Sequence, residues 1–210
     1  MTTIVLKAFS ALLSYPNEEL RAALPELADV IRTSPLVAPR EQHGLLELID
    51  ELSRSDVLAA EENYVDLFDR GRALSLNLFE HLHGESRDRG TAMVDLKRLY
   101  ETAGFELATR ELPDYLPVVL EYLSRRKPGE AKDLLTDCTQ ILQSIATALI
   151  ARRTNYAAVL QALLVIAGEQ PISAADVPIR SESAESLDQN WIEQPAFGKP
   201  TMHGRQSDAI

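Results

Sequence analysis

Glu80 and His83 are three residues apart, a Glu-x-x-His pair that on a helix sends a carboxylate and an imidazole to one side, as in bundles that hold paired metal ions. Such a centre needs a second pair on a facing helix. The other histidines, His43, His81 and His203, have Arg40, Leu78 and Pro200 at the i−3 position. No second pair exists, so His83 beside Gly84 reads as a surface or capping residue instead of a ligand. Glu111, Asp114 and Glu121 form another constellation, carboxylates that could share general acid and base work. A structural use competes with that one. With Asp114 as the N-cap of a helix, Pro113 lies outside it and Pro117 falls at N3, where its missing N–H costs nothing. Cys138 is the single cysteine, which excludes an internal disulfide and a cysteine zinc cluster. It sits on an apolar stripe with Leu134, Ile141, Leu142, Ile145 and Leu149, the setting of a buried, unreactive thiol. Neither common glycine-rich phosphate loop nor a Gly-x-Ser-x-Gly turn occurs. These residues suit binding better than catalysis, and no cofactor is expected.

The elements that must position them are helical. Apolar residues recur at helical spacing in Val5, Phe9 and Leu12, in Leu20, Leu24, Leu27 and Ile31 after the N-cap candidate Asn17, and in Leu45, Leu48, Ile49 and Leu52. Val57, Ala60, Tyr64, Leu67 and Phe68 follow Asp56 in the same way; on that spacing Tyr64, Leu67 and Phe68 are core residues, and Asp66 and Asp69 face water. Met93, Leu96, Tyr100 and Ala103 end at Gly104, and the series Tyr156 to Ala167 ends at Gly168, both placed as C′ residues. From Asp114, the stripe Leu116, Val119, Leu120 and Leu123 leaves Asp114 and Glu121 on the opposite, exposed side. No alternating run announces a sheet. The expectation is all-α: a single-domain helical bundle over residues 1–168, followed by a partly disordered, flexible tail at 169–210. That tail carries Pro171, Pro178, Pro195 and Pro200, with Trp191, Ile192 and Phe197 as its apolar exceptions.

In 210 residues, 21 Lys and Arg face 32 Asp and Glu, a net charge of −11. Such a field repels phosphate backbones and anionic membranes and favours basic peptides. Nucleic acid is therefore excluded as a partner. The first residues show no basic stretch, Lys7 interrupts their apolar run, and no segment reaches the length of a membrane span, so a soluble, cytoplasmic protein without membrane insertion is expected.

The block Glu111-x-Pro113-Asp114-Tyr115, with Leu120-Glu121-Tyr122 after it, resembles the E-x-P-D-H-x4-L-E-F signature of the TorD-like redox-enzyme maturation chaperones. Tyr115 stands where many members carry His, and Tyr122 replaces Phe, so a role for an imidazole does not transfer. Tyr64-Val65-Asp66-Leu67-Phe68-Asp69, the stretch from Ser75 through Glu80, His81 and His83 to Arg89-Gly90, and Leu99-Tyr100-x-x-Ala103-Gly104-Phe105 are similar to the nitrate reductase branch, the delta-subunit or NarJ-type molybdenum cofactor assembly chaperones. The resemblance spans roughly residues 1 to 170 and extends to Trp191, Glu193, Pro195, Phe197 and Gly198.

It implies a non-enzymatic chaperone that binds the apo catalytic (alpha) subunit of respiratory nitrate reductase, chiefly its N-terminal segment, during molybdenum cofactor insertion and before membrane docking. Molybdenum cofactor delivery proteins are a further class of partner. The implied peptide-binding residues are Tyr64, Asp66, Leu67, Phe68, Glu80, His83, Glu111, Pro113, Asp114, Tyr115, Glu121 and Tyr122. The rival readings are a sibling chaperone for a twin-arginine-exported molybdoenzyme and a helical metalloenzyme.

Overall fold

Helix-forming stripes without strand partners should bury their apolar faces against one another. The computed structural model, which describes residues 3–83, 87–107 and 111–177, contains ten α-helices and two 3-10 turns among the described residues. The helices are α1 (Ile4–Leu12), α2 (Glu18–Thr33), α3 (Pro39–Arg54), α4 (Val57–Phe68), α5 (Leu78–His83), α6 (Arg87–Thr102), α7 (Leu116–Ser124), α8 (Pro128–Asp137), α9 (Thr139–Ala151) and α10 (Ala157–Ala167). No strand occurs among the described residues, only a single antiparallel bridge between Asn77 and Tyr115. The all-helical expectation holds. All described residues fall in one compact unit, Met1–Arg180. The tail residues from Pro178 onward, Trp191, Ile192 and Phe197 included, lie outside the described residues.

Local chemistry sets several boundaries. Asn17 accepts a hydrogen bond from Leu20 N–H at 2.9 Å and Asp56 from Leu58 N–H at 3.0 Å, each satisfying one orphan donor of the helix it starts. Gly104 (φ 71°) and Gly168 (φ 103°) take the left-handed conformation that closes α6 and α10 and that side chains resist. The stripe through Cys138 is two helices, α8 and α9, bent by 70° at that residue. Cys138 is half-buried there, and desolvation, with help from Asp137, raises its thiol pKa to about 11, so it stays protonated at neutral pH.

The deepest packing joins α1 to α7, and α10 to α9, α8 and α3; α2 lies on α1 and α3. Helix α10 is apolar nearly all round because neighbours cover it on several sides. Beyond Gly168 the chain stays on the bundle: Gln161 donates to Ile172 O at 2.7 Å and accepts from Ile172 N–H at 2.8 Å, and Val177 is buried. Among the described residues no single helix is long and apolar enough to cross a membrane.

Candidate functional site at the seam of α5 and α7

Residues 76–78 and 114–116 run antiparallel. Leu78 N–H donates to Asp114 O at 3.0 Å and Leu116 N–H to Leu76 O at 2.8 Å. This pairing keeps residue 115 extended (φ −64°, ψ 120°), so α7 starts at Leu116 with Tyr115 as its N-cap and Pro117 as its second residue. The expected start at Asp114, with Pro117 at N3, is thereby corrected. Pro117 still falls among the four residues whose N–H has no intrahelical partner.

Asp114 is a cap, but for another helix. Its Oδ2 accepts from Phe79 N–H at 2.9 Å, in the first turn of α5. A helix of six residues has few internal hydrogen bonds, so an external acceptor matters more there than in a long helix. Asp114 is wholly buried and not on the exposed side of α7 with Glu121, as helical spacing from residue 114 predicts; the extended residues before Leu116 change the register. Its Oδ1 has no hydrogen-bond partner among the described residues. Burial pushes the carboxyl above its ordinary range, opposed by the Phe79 N–H, the Arg89 guanidinium and its own N–H, and reinforced by Glu80. Glu80 in turn accepts from Arg89 at 3.2 Å, a partly buried ion pair that ties α5 to α6. His83 is the last residue of α5, and its side chain lies outside the described residues.

Tyr115 reaches the opposite side of the seam. Tyr64 donates its hydroxyl to the carbonyl of Leu13, at the C-terminal end of α1, at 2.8 Å, which leaves Tyr115 to donate to Tyr64 at 2.7 Å. Two phenols thus satisfy a carbonyl that the end of α1 leaves open. Desolvation, Glu111 and Asp69 raise the Tyr115 pKa to about 12 against the lowering effect of the Tyr64 hydrogen bond; Tyr64, more deeply desolvated, is raised further. Tyr64 packs on Phe68 (centroids 4.8 Å apart), and Tyr64, Leu67 and Phe68 are buried, as helical spacing predicts.

On the other face of the signature, Tyr100 donates to Pro113 O at 2.8 Å and stacks with Phe105 and Tyr122 at 5.5 and 4.7 Å. These rings back a groove of about 600 Å³ whose apolar lining is Tyr100, Phe105, Leu107 and Pro113 and whose charged lining is Lys97, Glu101, Glu106 and Glu111. Lys97 pairs with Glu101 at 3.8 Å. Glu106 and Glu111 have no ion-pair partner among the described residues.

The structure therefore links Tyr64, Glu80, Glu111, Pro113, Asp114, Tyr115 and Tyr122 through one seam and its flanks. Asp66 and Glu121 stand apart from it, each in an exposed pair with a neighbour on its own segment: Arg70 at 2.9 Å and Arg125 at 3.8 Å. Sequence reasoning missed Lys97, Glu101, Phe105, Glu106 and Leu107 as site residues and Arg89 as a tie. The signal was available in part, because an aromatic residue directly after the C′ Gly104 must pack back on the helix it ends. No trio of His, Cys, Asp or Glu side chains among the described residues could hold a metal ion. What the arrangement offers is a recess with aromatic and aliphatic side chains in its lining and carboxylates on its edge.

Comparison with known proteins adds four findings. A family model described as the nitrate reductase delta subunit matches residues 15–161. The chain is 39% identical over 196 residues to the nitrate reductase molybdenum cofactor assembly chaperone NarJ of Escherichia coli (strain K12), covering 91% of this chain and 83% of that protein. It is 33% identical over 156 residues to the nitrate reductase-like protein NarX of Mycobacterium tuberculosis (strain ATCC 25618 / H37Rv), covering 73% of this chain and 23% of that protein. Among solved structures, one assigned as a redox enzyme maturation protein from Archaeoglobus fulgidus has the same fold, with a TM-score of 0.57 and 23% identity over 80% of this chain and 95% of that one.

Proposed function

Because the chain belongs to the nitrate reductase delta-subunit family, we propose that it is an assembly chaperone for nitrate reductase, holding the catalytic subunit by its N-terminal segment while the molybdenum cofactor is inserted. It acts by binding and release, not by catalysis, in the cytoplasm, and hands the client on before membrane docking. Molybdenum cofactor delivery proteins meet the client in that held state. The folded bundle does the holding.

The observation that carries the reading is family membership across most of the chain, with an identity that extends over most of the related chaperone's length as well. The chemistry of the site supports it. A recess lined by Phe105, Leu107 and Pro113, with the carboxylates Glu106 and Glu111 unpaired among the described residues, suits an amphipathic peptide with basic residues, the mode in which a helix lays its apolar face into a groove. Charge of −11 on the whole chain speeds the encounter with such a segment.

Calorimetry with a synthetic peptide carrying the catalytic subunit's N-terminal segment tests the reading. Binding should weaken as salt rises and show a negative heat-capacity change. Retained binding of the remainder of the catalytic subunit, with none of the peptide, would falsify recognition through the N-terminus.

A further inference from the structure

The groove beside Pro113 has a feature that separates it from the rest of the acidic surface. Most carboxylates of the described helices that form ion pairs do so with a cation on their own helix or one or two residues past its end, as in Asp29–Arg32, Asp50–Arg54, Asp66–Arg70 and Glu121–Arg125. Glu106 and Glu111 instead line one recess together with Phe105, Leu107 and Pro113, with Glu101 already answered by Lys97 and no ion-pair partner for Glu106 or Glu111 among the described residues. An exposed ion pair held on one helix gives little further attraction to a partner, whereas an unanswered carboxylate over low-dielectric walls gives more.

The groove also has a rigid floor. Tyr100 is wholly buried, its hydroxyl fixed to Pro113 O, and the Phe105 ring is held edge-on against both Tyr100 and Tyr122. Such a floor needs no reordering to receive apolar side chains, which lowers the entropic cost of binding. Its volume of about 600 Å³ falls within the range of sites that bury whole organic groups.

We infer that this groove, between the C-terminal turn of α6 and the Glu111–Pro113 turn, is the seat of one amphipathic client segment whose apolar side chains lie on Phe105 and Leu107, with the buried Tyr100 beneath, and whose basic side chain lies between Glu106 and Glu111. This deepens the chaperone reading and rests on it. Charge complementarity chooses the occupant: an acidic or neutral segment leaves both carboxylates unpaired over an apolar floor, and a basic one pairs them.

The test uses the full chain and a fluorescent synthetic peptide carrying the catalytic subunit's N-terminal segment. At about 0.05 M salt, the double variant Glu106→Gln/Glu111→Gln should bind about tenfold more weakly than wild type, and at about 0.5 M salt the two should converge. A control of equal charge loss, Glu47→Gln/Asp50→Asn on α3, which packs on α2 and α10, should bind as wild type. Leu107→Ser, at a half-buried position of the lining that also packs on the core, should weaken binding at both salt concentrations while the helical circular dichroism of the chain is retained. Amide exchange of the wild-type chain with peptide should slow at residues 100–107 and 111–112.

Wild-type binding that neither the double variant nor Leu107→Ser weakens, with protection elsewhere, overturns the groove and leaves the chaperone reading standing. No peptide binding by the wild-type chain overturns both the groove and N-terminal recognition. A wild-type dimer in sedimentation that the groove variants dissociate makes the recess a self-interface and also overturns the assignment.

Discussion

Helices α6 and α7 meet at the same aromatic cluster of Tyr100, Phe105 and Tyr122, yet they are built in opposite ways. Of the nine residues in α7, Leu116, Pro117, Val118, Val119, Leu120, Tyr122 and Leu123 are buried, because α1 packs along one side and α8 along another. Of the sixteen in α6, Tyr100 is the buried one among the described side chains, and Val94 and Leu99 are exposed. Helix α7 is architecture: its position is over-determined by packing. Helix α6 is held by the Tyr100 anchor and the Arg89–Glu80 pair, which leaves its charged side and its last turn open to a partner. A binding edge on a lightly packed element beside a rigid floor combines low cost of adjustment with a fixed template.

The contrast is tested most severely by truncation. Leu120→Ala, at a wholly buried site in α7, should lower unfolding free energy by about 2–5 kcal/mol. Leu99→Ala in α6 should stay within about 0.5 kcal/mol. Urea unfolding of both variants measures the difference, and similar losses would erase the distinction between the two helices.

The seam comes next. Asp114→Ala removes the side-chain acceptor of the part-buried Phe79 N–H and should cost about 1–3 kcal/mol. Asp114→Asn keeps an oxygen for that N–H and removes the buried charge. Because burial raises the folded carboxyl pKa above its ordinary 3.8, the acid form of Asp114 is the one the fold favours. Its stabilising contribution is complete below the unfolded pKa and is lost as pH rises through the raised folded value. Asp114→Asn should therefore match wild type in acid and gain on it as pH rises toward neutrality, as read from melting temperatures across that window. A gain that instead grows as pH falls would contradict this sign.

Smaller still is the phenol pair. Tyr64→Phe removes the donor to Leu13 O and the acceptor for Tyr115 and should cost about 1 kcal/mol. Tyr115→Phe should cost less, since Tyr64 keeps its bond to Leu13. The double variant should cost less than the sum, and a thermodynamic cycle reads the coupling. At the low end, Glu111→Gln on the groove rim should leave stability within about 0.5 kcal/mol while altering peptide affinity, so that binding and stability separate at one position.

How much of this was legible beforehand depends on how far apart the interacting residues lie. The caps Asn17 and Asp56 and the C′ glycines Gly104 and Gly168 are readable because the groups they satisfy are within a few residues. Helical spacing likewise names Tyr64, Leu67 and Phe68 as core, since the burial of a stripe follows from its period. Asp114 was recognisable as a cap by its residue type and the flanking prolines, but the helix it caps was not. Its partner Phe79 lies 35 positions away, and only the antiparallel pairing of residues 76–78 with 114–116 brings the two together.

The sequence by itself determined the all-helical class, most stripes, the acidic balance and, through its signature stretches, the family. Those follow from local periodicity, composition and linear pattern. The tertiary structure alone decided that α7 begins at Leu116, that α8 and α9 bend apart at Cys138, and that Tyr115 completes a hydroxyl chain to the end of α1. It alone gathered Phe105, Glu106 and Glu111 around one recess. Each of these depends on which distant backbone group or ring occupies the space beside a residue, and that choice is made only when the helices pack.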